Sequence, residues 1–214
     1  MKKHILLFIC LYVCLNASGQ TSDFNNLFKA CVMASSSMAY GEGSMGELKE
    51  ATALMTGAQW GPLLLQGVDI AGECGLKGHM VFSPSFLKGL QDNRNVFKKA
   101  KEYAAELDAA ERGADLLLCT KCIKAESSVS YNLRTSGNAI SVAAVSEVNG
   151  LINLEVAVLD GQGDERVYKI NSDEFKGASK RCLNGIPLPQ GLSSIKITIT
   201  NKTKLPKSVA IIVE

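Results

Sequence analysis

The chain has 214 residues, 46% of them apolar, with 23 Lys and Arg against 21 Asp and Glu. That length suffices for one sizeable core or two small ones. The near balance of charge excludes a protein organised around a concentrated basic surface, so nucleic acid is not an expected partner.

Residues 1–20 have the plan of a secretory signal peptide: Lys2 and Lys3, an apolar run from Ile5 to Leu15, then the small polar segment Asn16 to Gln20. The run is shorter than the roughly 20 apolar residues a membrane-spanning helix needs, and no later stretch is longer, so the mature chain is expected to carry no transmembrane segment. Cys10 and Cys14 directly follow Ile9 and Val13, where a lipid-modification signal has small residues. The expectation is soluble export, ending in the periplasm, at the cell surface or outside the cell. Without the leader's two lysines, 21 basic side chains face 21 acidic ones.

Composition changes near residue 125, from Ala, Met, Lys and Glu at helical spacing to Val, Ile, Thr and Ser at strand spacing. This predicts an α+β protein: a mainly helical region over 21–125 with one or two short strands, then an antiparallel β-sandwich of about seven strands over 126–214.

Phe24, Leu27, Phe28, Cys31 and Val32 recur at three and four positions and share one helix face, with Ser22 or Asp23 as N-cap and an end by Gly41. Ser44 stands three residues before Glu47, the capping-box spacing, and opens a second helix to Met55. The glycines of 41–46 lack both the Lys-Ser/Thr ending and the preceding strand of a phosphate loop, so they read as a helix connection. Residues 57–78 read as a Gly-rich loop region with one buried segment at Leu63 to Leu65. Within it Trp60, beside Gly61-Pro62, is a candidate ligand-binding residue, an aromatic plate on which a sugar ring stacks; core packing is the competing role. Gly78 to Phe82 reads as a short strand. Ser83-Pro84 starts a short helix through Leu90, since proline's missing N–H costs little at an early helical position. Val96, Phe97, Ala100, Tyr103, Ala104 and Leu107 stripe a longer helix, stopped by Gly113.

Asp115 to Cys122 reads as a buried strand carrying Cys119-x-x-Cys122, the sharpest chemical signal in the chain. In thioredoxin-like proteins such a pair sits at a helix N-terminus, where the dipole lowers the attacking thiol's pKa. Here a β-like segment, Ile123 to Tyr131, follows instead, so a thiol-redox role for Cys119 and Cys122 is the alternative reading. Beyond the leader five cysteines remain, Cys31, Cys74, Cys119, Cys122 and Cys182, an odd number whose pairing the sequence leaves open. Cys74, His79, Cys119 and Cys122 are candidate metal ligands, acceptable to zinc if the two segments meet in space. His79 is the sole histidine outside the leader, so any Ser-His or Cys-His mechanism depends on it. No Gly-x-Ser-x-Gly accompanies it. No catalytic residue is assigned, no cofactor signature is complete, and the enzyme question leans towards no.

Val129, Tyr131 and Leu133 alternate with polar neighbours at the period of a half-buried strand. Asn149-Gly150, after a strand over 139–148, carries the residue chemistry of a hairpin turn. Ile152, Leu154, Val156 and Val158 then point one way. Asp160 to Glu165 lacks the sixth-place Gly and twelfth-place Glu of a calcium loop and reads as a turn. The chain closes with Ile195, Ile197 and Ile199 alternating with Lys196, Thr198 and Thr200, then a strand from Val209 to Val213.

The ending Leu188-Pro189-Gln190-Gly191, followed by Ile195-Lys196-Ile197-Thr198-Ile199-Thr200-Asn201 and a last strand, resembles the close of pre-peptidase C-terminal-like and related β-sandwich modules of secreted bacterial proteins, over at most 128–214. The Asp-x-x-Gly turn and Pro189-x-Gly191 are also similar to C-terminal sorting domains of bacterial secretion systems, although no Asn-Pro opens the module. Either likeness implies a binding, folding or delivery role and carries over no catalytic residue. The expected function is that of an exported, non-enzymatic β-sandwich binding or interaction module, with a cell-envelope component, a glycan or a protein as partner.

Overall fold

The computed structural model describes residues 22–40, 45–109, 114–159, 165–170 and 179–214. The leader, the Ser44 capping box, the Gly113 stop and most of the Asp160 turn lie outside them. Two helices open the described chain, α1 (Ser22–Tyr40) and α2 (Met45–Gly57), and three very short strands follow: β1 (Gly61–Pro62), β2 (Gln66–Asp69) and β3 (Glu73–Cys74). Next come α3 (Pro84–Gln91), a 3-10 turn over Val96–Lys99 and α4 (Ala100–Ala109). Eight longer strands complete the fold: β4 (Leu117–Ile123), β5 (Ser128–Ser136), β6 (Ala139–Ser146), β7 (Ile152–Leu159), β8 (Glu165–Ile170), β9 (Lys180–Pro187), β10 (Leu192–Asn201) and β11 (Lys207–Val213).

The strands form two sheets. Sheet A runs β1-β4-β11-β6-β9, with β3 sharing the outer edge of β4 with β1, and sheet B runs β2-β5-β10-β7-β8. Every pairing is antiparallel except the two-residue contact of β1 with β4. The fold is therefore α+β, with an antiparallel β-sandwich as the sequence predicts. The composition change near residue 125 falls in the connection from β4 to β5, but the expected boundary there is corrected: the described part of 21–125 holds four strands rather than one or two, and all four belong to the sheets of the sandwich, β1, β3 and β4 to sheet A and β2 to sheet B.

The period-two rule assigns the layers. On β10, Ile195, Ile197 and Ile199 are fully buried between the sheets, while Lys196, Thr198 and Thr200 turn outward. On β11, Val209, Ile211 and Val213 enter the same interior, but Ala210 and Ile212 are equally buried on the other side, against the helices. Ala143 and Val145 of β6 and Leu118 of β4 join them there, beneath Phe24, Leu27, Met55, Phe82 and Phe86. Sheet A is thus buried on both faces. The helical core includes residues of sheet A and none of sheet B.

Four local expectations change. Leu63 to Leu65 is not buried as a run: Leu63 enters the sandwich interior, but Leu64 is exposed and Leu65 half-buried. Gly78 to Phe82 is not a strand: Met80, Val81 and Phe82 are buried in the helical core, and the Phe82 N–H donates to the Thr120 hydroxyl at 3.1 Å instead of entering a ladder. Asn149-Gly150 does not make a hairpin, because β6 belongs to sheet A and β7 to sheet B. Asn149 does take the left-handed conformation, at φ 56°, while Gly150 is needed for space, since a Cβ there would strike the Ser146 side chain. The same tight-turn chemistry that closes a hairpin here carries the chain from one sheet to the other. The stripe from Val96 begins as a 3-10 turn and becomes α-helical only at Ala100.

Asn201 pins the sheets together at one end. Its Nδ2 donates to the carbonyls of Ile123, Lys124 and Leu205 at 3.2, 3.1 and 2.9 Å, and its Oδ1 accepts from the Thr203 N–H and hydroxyl at 3.0 and 2.7 Å. A buried amide with both ends satisfied adds to stability and fixes the angle between the end of β10 and the end of β4.

Candidate functional site

Residues three apart on a strand point to opposite faces, and this decides the cysteine chemistry. Cys119 enters the sandwich interior, whereas Cys122 faces the helices and is joined in a disulfide to Cys74, its register partner on β3, with the Cα atoms 5.1 Å apart. The Cys119/Cys122 redox pair expected as the alternative function is therefore corrected: the pleat of β4 separates the two thiols. Burial pushes the Cys119 thiol up to about 12, with nearby Lys121 only partly offsetting it, and burial alone raises Cys31 well above the ordinary thiol range. Such thiols are packing groups with little thiolate to react. Cys182 is partly exposed, and its Sγ donates to Asn184 Oδ1 at 2.7 Å.

Of the four candidate metal ligands the fold brings three together. The ligand atoms of Cys74, His79 and Cys122 all lie within 4.8 Å of one another, and Cys119 is not among them. His79 is held by Glu147: its Nδ1 is 3.2 Å from Glu147 Oε1, and the same oxygen accepts the Ser208 N–H at 2.7 Å. Both side chains are mostly buried. Glu147 comes from the connection between β6 and β7, 68 residues from His79. No motif marks it; only the fold makes it a neighbour.

A second arrangement lies on sheet B. A groove of about 440 Å³ is lined by Leu64, Gln66, Asn132, Leu133, Arg134 and Ser194. The alternation of β5 and β10 puts Asn132, Arg134 and Ser194 on the outer face, and the registers set Gln66 opposite Asn132 and Ser194 opposite Arg134. Further along, the hydroxyls of β5 and β10 bridge each other, Ser128 to Thr200 at 2.7 Å and Ser130 to Thr198 at 2.9 Å. Among the described residues, no side-chain hydrogen bond or ion pair engages Gln66, Asn132 or Arg134. Trp60 lies elsewhere: its indole packs on the helical core and its Nε1 donates to the Met55 carbonyl at 2.7 Å.

No family model matches the sequence, and no curated protein does either. Among solved structures, the Yersinia pseudotuberculosis-derived mitogen is 12% identical at a TM-score of 0.33, over 46% of this chain and 83% of that one. The carbohydrate-binding module TmCBM61, solved with β-1,4-galactotriose, is 10% identical at 0.30, over 47% and 81%. Salmonella Typhimurium PliG, a periplasmic inhibitor of g-type lysozyme, is 14% identical at 0.31, over 49% and 90%. Likenesses of this size carry no functional argument. The resemblance to pre-peptidase C-terminal-like modules stands as one of β-sandwich architecture, seen directly in the two sheets; membership of that family is not shown. Among the described residues no helix is long and apolar enough to cross a membrane.

Proposed function

We propose that the protein is an exported, non-enzymatic binding module whose groove on the outer face of sheet B holds a cell-envelope glycan. One observation carries the reading: two side-chain amides, a guanidinium and a hydroxyl, from Gln66, Asn132, Arg134 and Ser194, converge on one open groove beside two leucines. Amides donate and accept together, as a polyhydroxyl chain requires. Arg134 adds a charged donor for a sugar carboxylate, and the exposed Leu64 offers apolar surface to the C–H face of a ring. Trp60 is not part of this reading, because its ring and its N–H are engaged in the helical layer.

Titration calorimetry with solubilised envelope glycans tests it. Wild type is expected to bind, and Arg134→Ala and Asn132→Ala each to weaken binding about tenfold or more, the loss of a hydrogen bond made by a charged group or by an amide at the centre of the contact. Both variants keep the wild-type melting midpoint, since their side chains lie at the surface. Absence of binding by wild type, or binding by both variants as tight as that of wild type, contradicts the proposal.

A further inference from the structure

We propose that Cys74, Cys122 and His79 form a zinc site closed by oxidation: the reduced thiolates and the imidazole take up Zn²⁺, and the Cys74–Cys122 disulfide excludes it. The proposal is independent of the groove on sheet B. A purely structural disulfide needs only its two sulfurs. Here a histidine brings a ring nitrogen within 4.8 Å of both, the separation from which three ligands converge on one cation.

The surroundings of the ring favour ligation. Glu147 Oε1 is an acceptor, so in the neutral imidazole the nearby Nδ1 carries the proton and Nε2 keeps its lone pair. A carboxylate that fixes the tautomer and aim of a histidine is the recurring outer partner of protein zinc sites. Glu147 is itself anchored by the Ser208 N–H. Ser208 adds a second sign. It stands in register with Cys122 on β11, is fully buried, and its hydroxyl has no hydrogen-bond partner among the described residues. A buried hydroxyl without a partner costs stability unless something completes it, and a water in the fourth zinc position would do so. Entry is open as well: Cys74 and His79 are partly exposed, and Cys74 and Cys122 line a cleft of about 180 Å³ beside Ala104, Leu107 and Asp108 of α4.

Oxidation and metal loading use the same sulfur electrons, so they exclude each other. With a small-molecule disulfide RSSR as oxidant, the zinc dithiolate and RSSR plus two protons give the protein disulfide, free Zn²⁺ and two RSH. The sulfurs of Cys74 and Cys122 lose two electrons, the two sulfurs of RSSR gain them, and zinc stays divalent.

The test uses the purified full chain, reduced under anaerobic conditions and titrated with Zn²⁺ in competition with a chromophoric chelator, and with Co²⁺ as a spectroscopic substitute. One metal per reduced chain and thiolate-to-cobalt absorption are expected, with no uptake by the oxidised chain and stoichiometric zinc release on adding a small-molecule disulfide. His79→Ala, which leaves both thiols and the disulfide in place, should weaken zinc binding at least about tenfold, and Glu147→Gln by about 10- to 100-fold. If the reduced wild type takes up no metal, or if His79→Ala binds as tightly as wild type, the site is not as proposed. His79→Ala keeps the test decisive even if cysteine variants fail to fold.

Discussion

Sheet A and sheet B are built from strands of similar length, yet they differ in how many faces they bury. On β11 and β6 both parities are apolar or small, with Ile211 and Ile212 each fully buried on opposite sides. On β10 the isoleucines alternate with Lys196, Thr198 and Thr200. A strand covered on both sides reads as a continuous apolar run, and one covered on a single side reads as an alternation. The difference places the helices on sheet A and leaves sheet B a polar outer face, which is where a binding groove can form without disturbing a core.

The largest test of this contrast is the pair Ile211→Ala and Ile212→Ala. Each should lower unfolding free energy by about 2–5 kcal/mol in chemical denaturation, because each empties a packed site; a small loss for Ile212→Ala alone would mean that the helices do not seal sheet A. Asn201→Ala comes next, at about 1–3 kcal/mol, from the lost side-chain hydrogen bonds to the Ile123 and Lys124 carbonyls and from the Thr203 N–H, which lie in a largely buried setting. A smaller loss would show that Asn201 does not tie the sheets. Lys196→Ala, on the open face of sheet B, should stay within about 0.5 kcal/mol of wild type. Smallest of all is thiol labelling at pH 8 under native conditions. Cys119 ionises near 12 rather than at the usual 9.0, so the thiol is protonated and its stabilising contribution persists until pH rises past 9. Cys119 and Cys31 should remain unmodified by iodoacetamide until denaturant is added; labelling in the native state would contradict their burial.

Much of the fold is legible in the sequence because burial writes itself as periodicity. The stripe Phe24, Leu27, Cys31 announces α1, and Ile195 to Thr200 announces β10 with its faces. Ser83 accepts the Phe86 N–H at 3.2 Å as the cap that Ser83-Pro84 implies. What escapes is pairing. Asn149-Gly150 specifies a tight turn but not whether the next strand joins the same sheet. Met80 to Phe82 is apolar enough for a strand, yet its cover is helical. The two-residue β1 and β3 are too short to show any period. The candidate site follows the same division: Cys74, His79 and Cys122 are visible as ligand types, and the strand reading of 115–122 already implies that Cys119 and Cys122 face apart. Glu147 and Ser208 carry no local signature, and neither do Gln66, Asn132, Arg134 and Ser194. They become a site only when β2, β5 and β10 lie side by side.

The most direct test of the binding surface is NMR titration of isotope-labelled protein with solubilised envelope glycan. The proposed reading requires concentration-dependent shifts clustered at Gln66, Asn132, Leu133, Arg134 and Ser194, with the helical layer unmoved. Shifts confined to residues of sheet A or the helices, or none at saturating glycan, would contradict it.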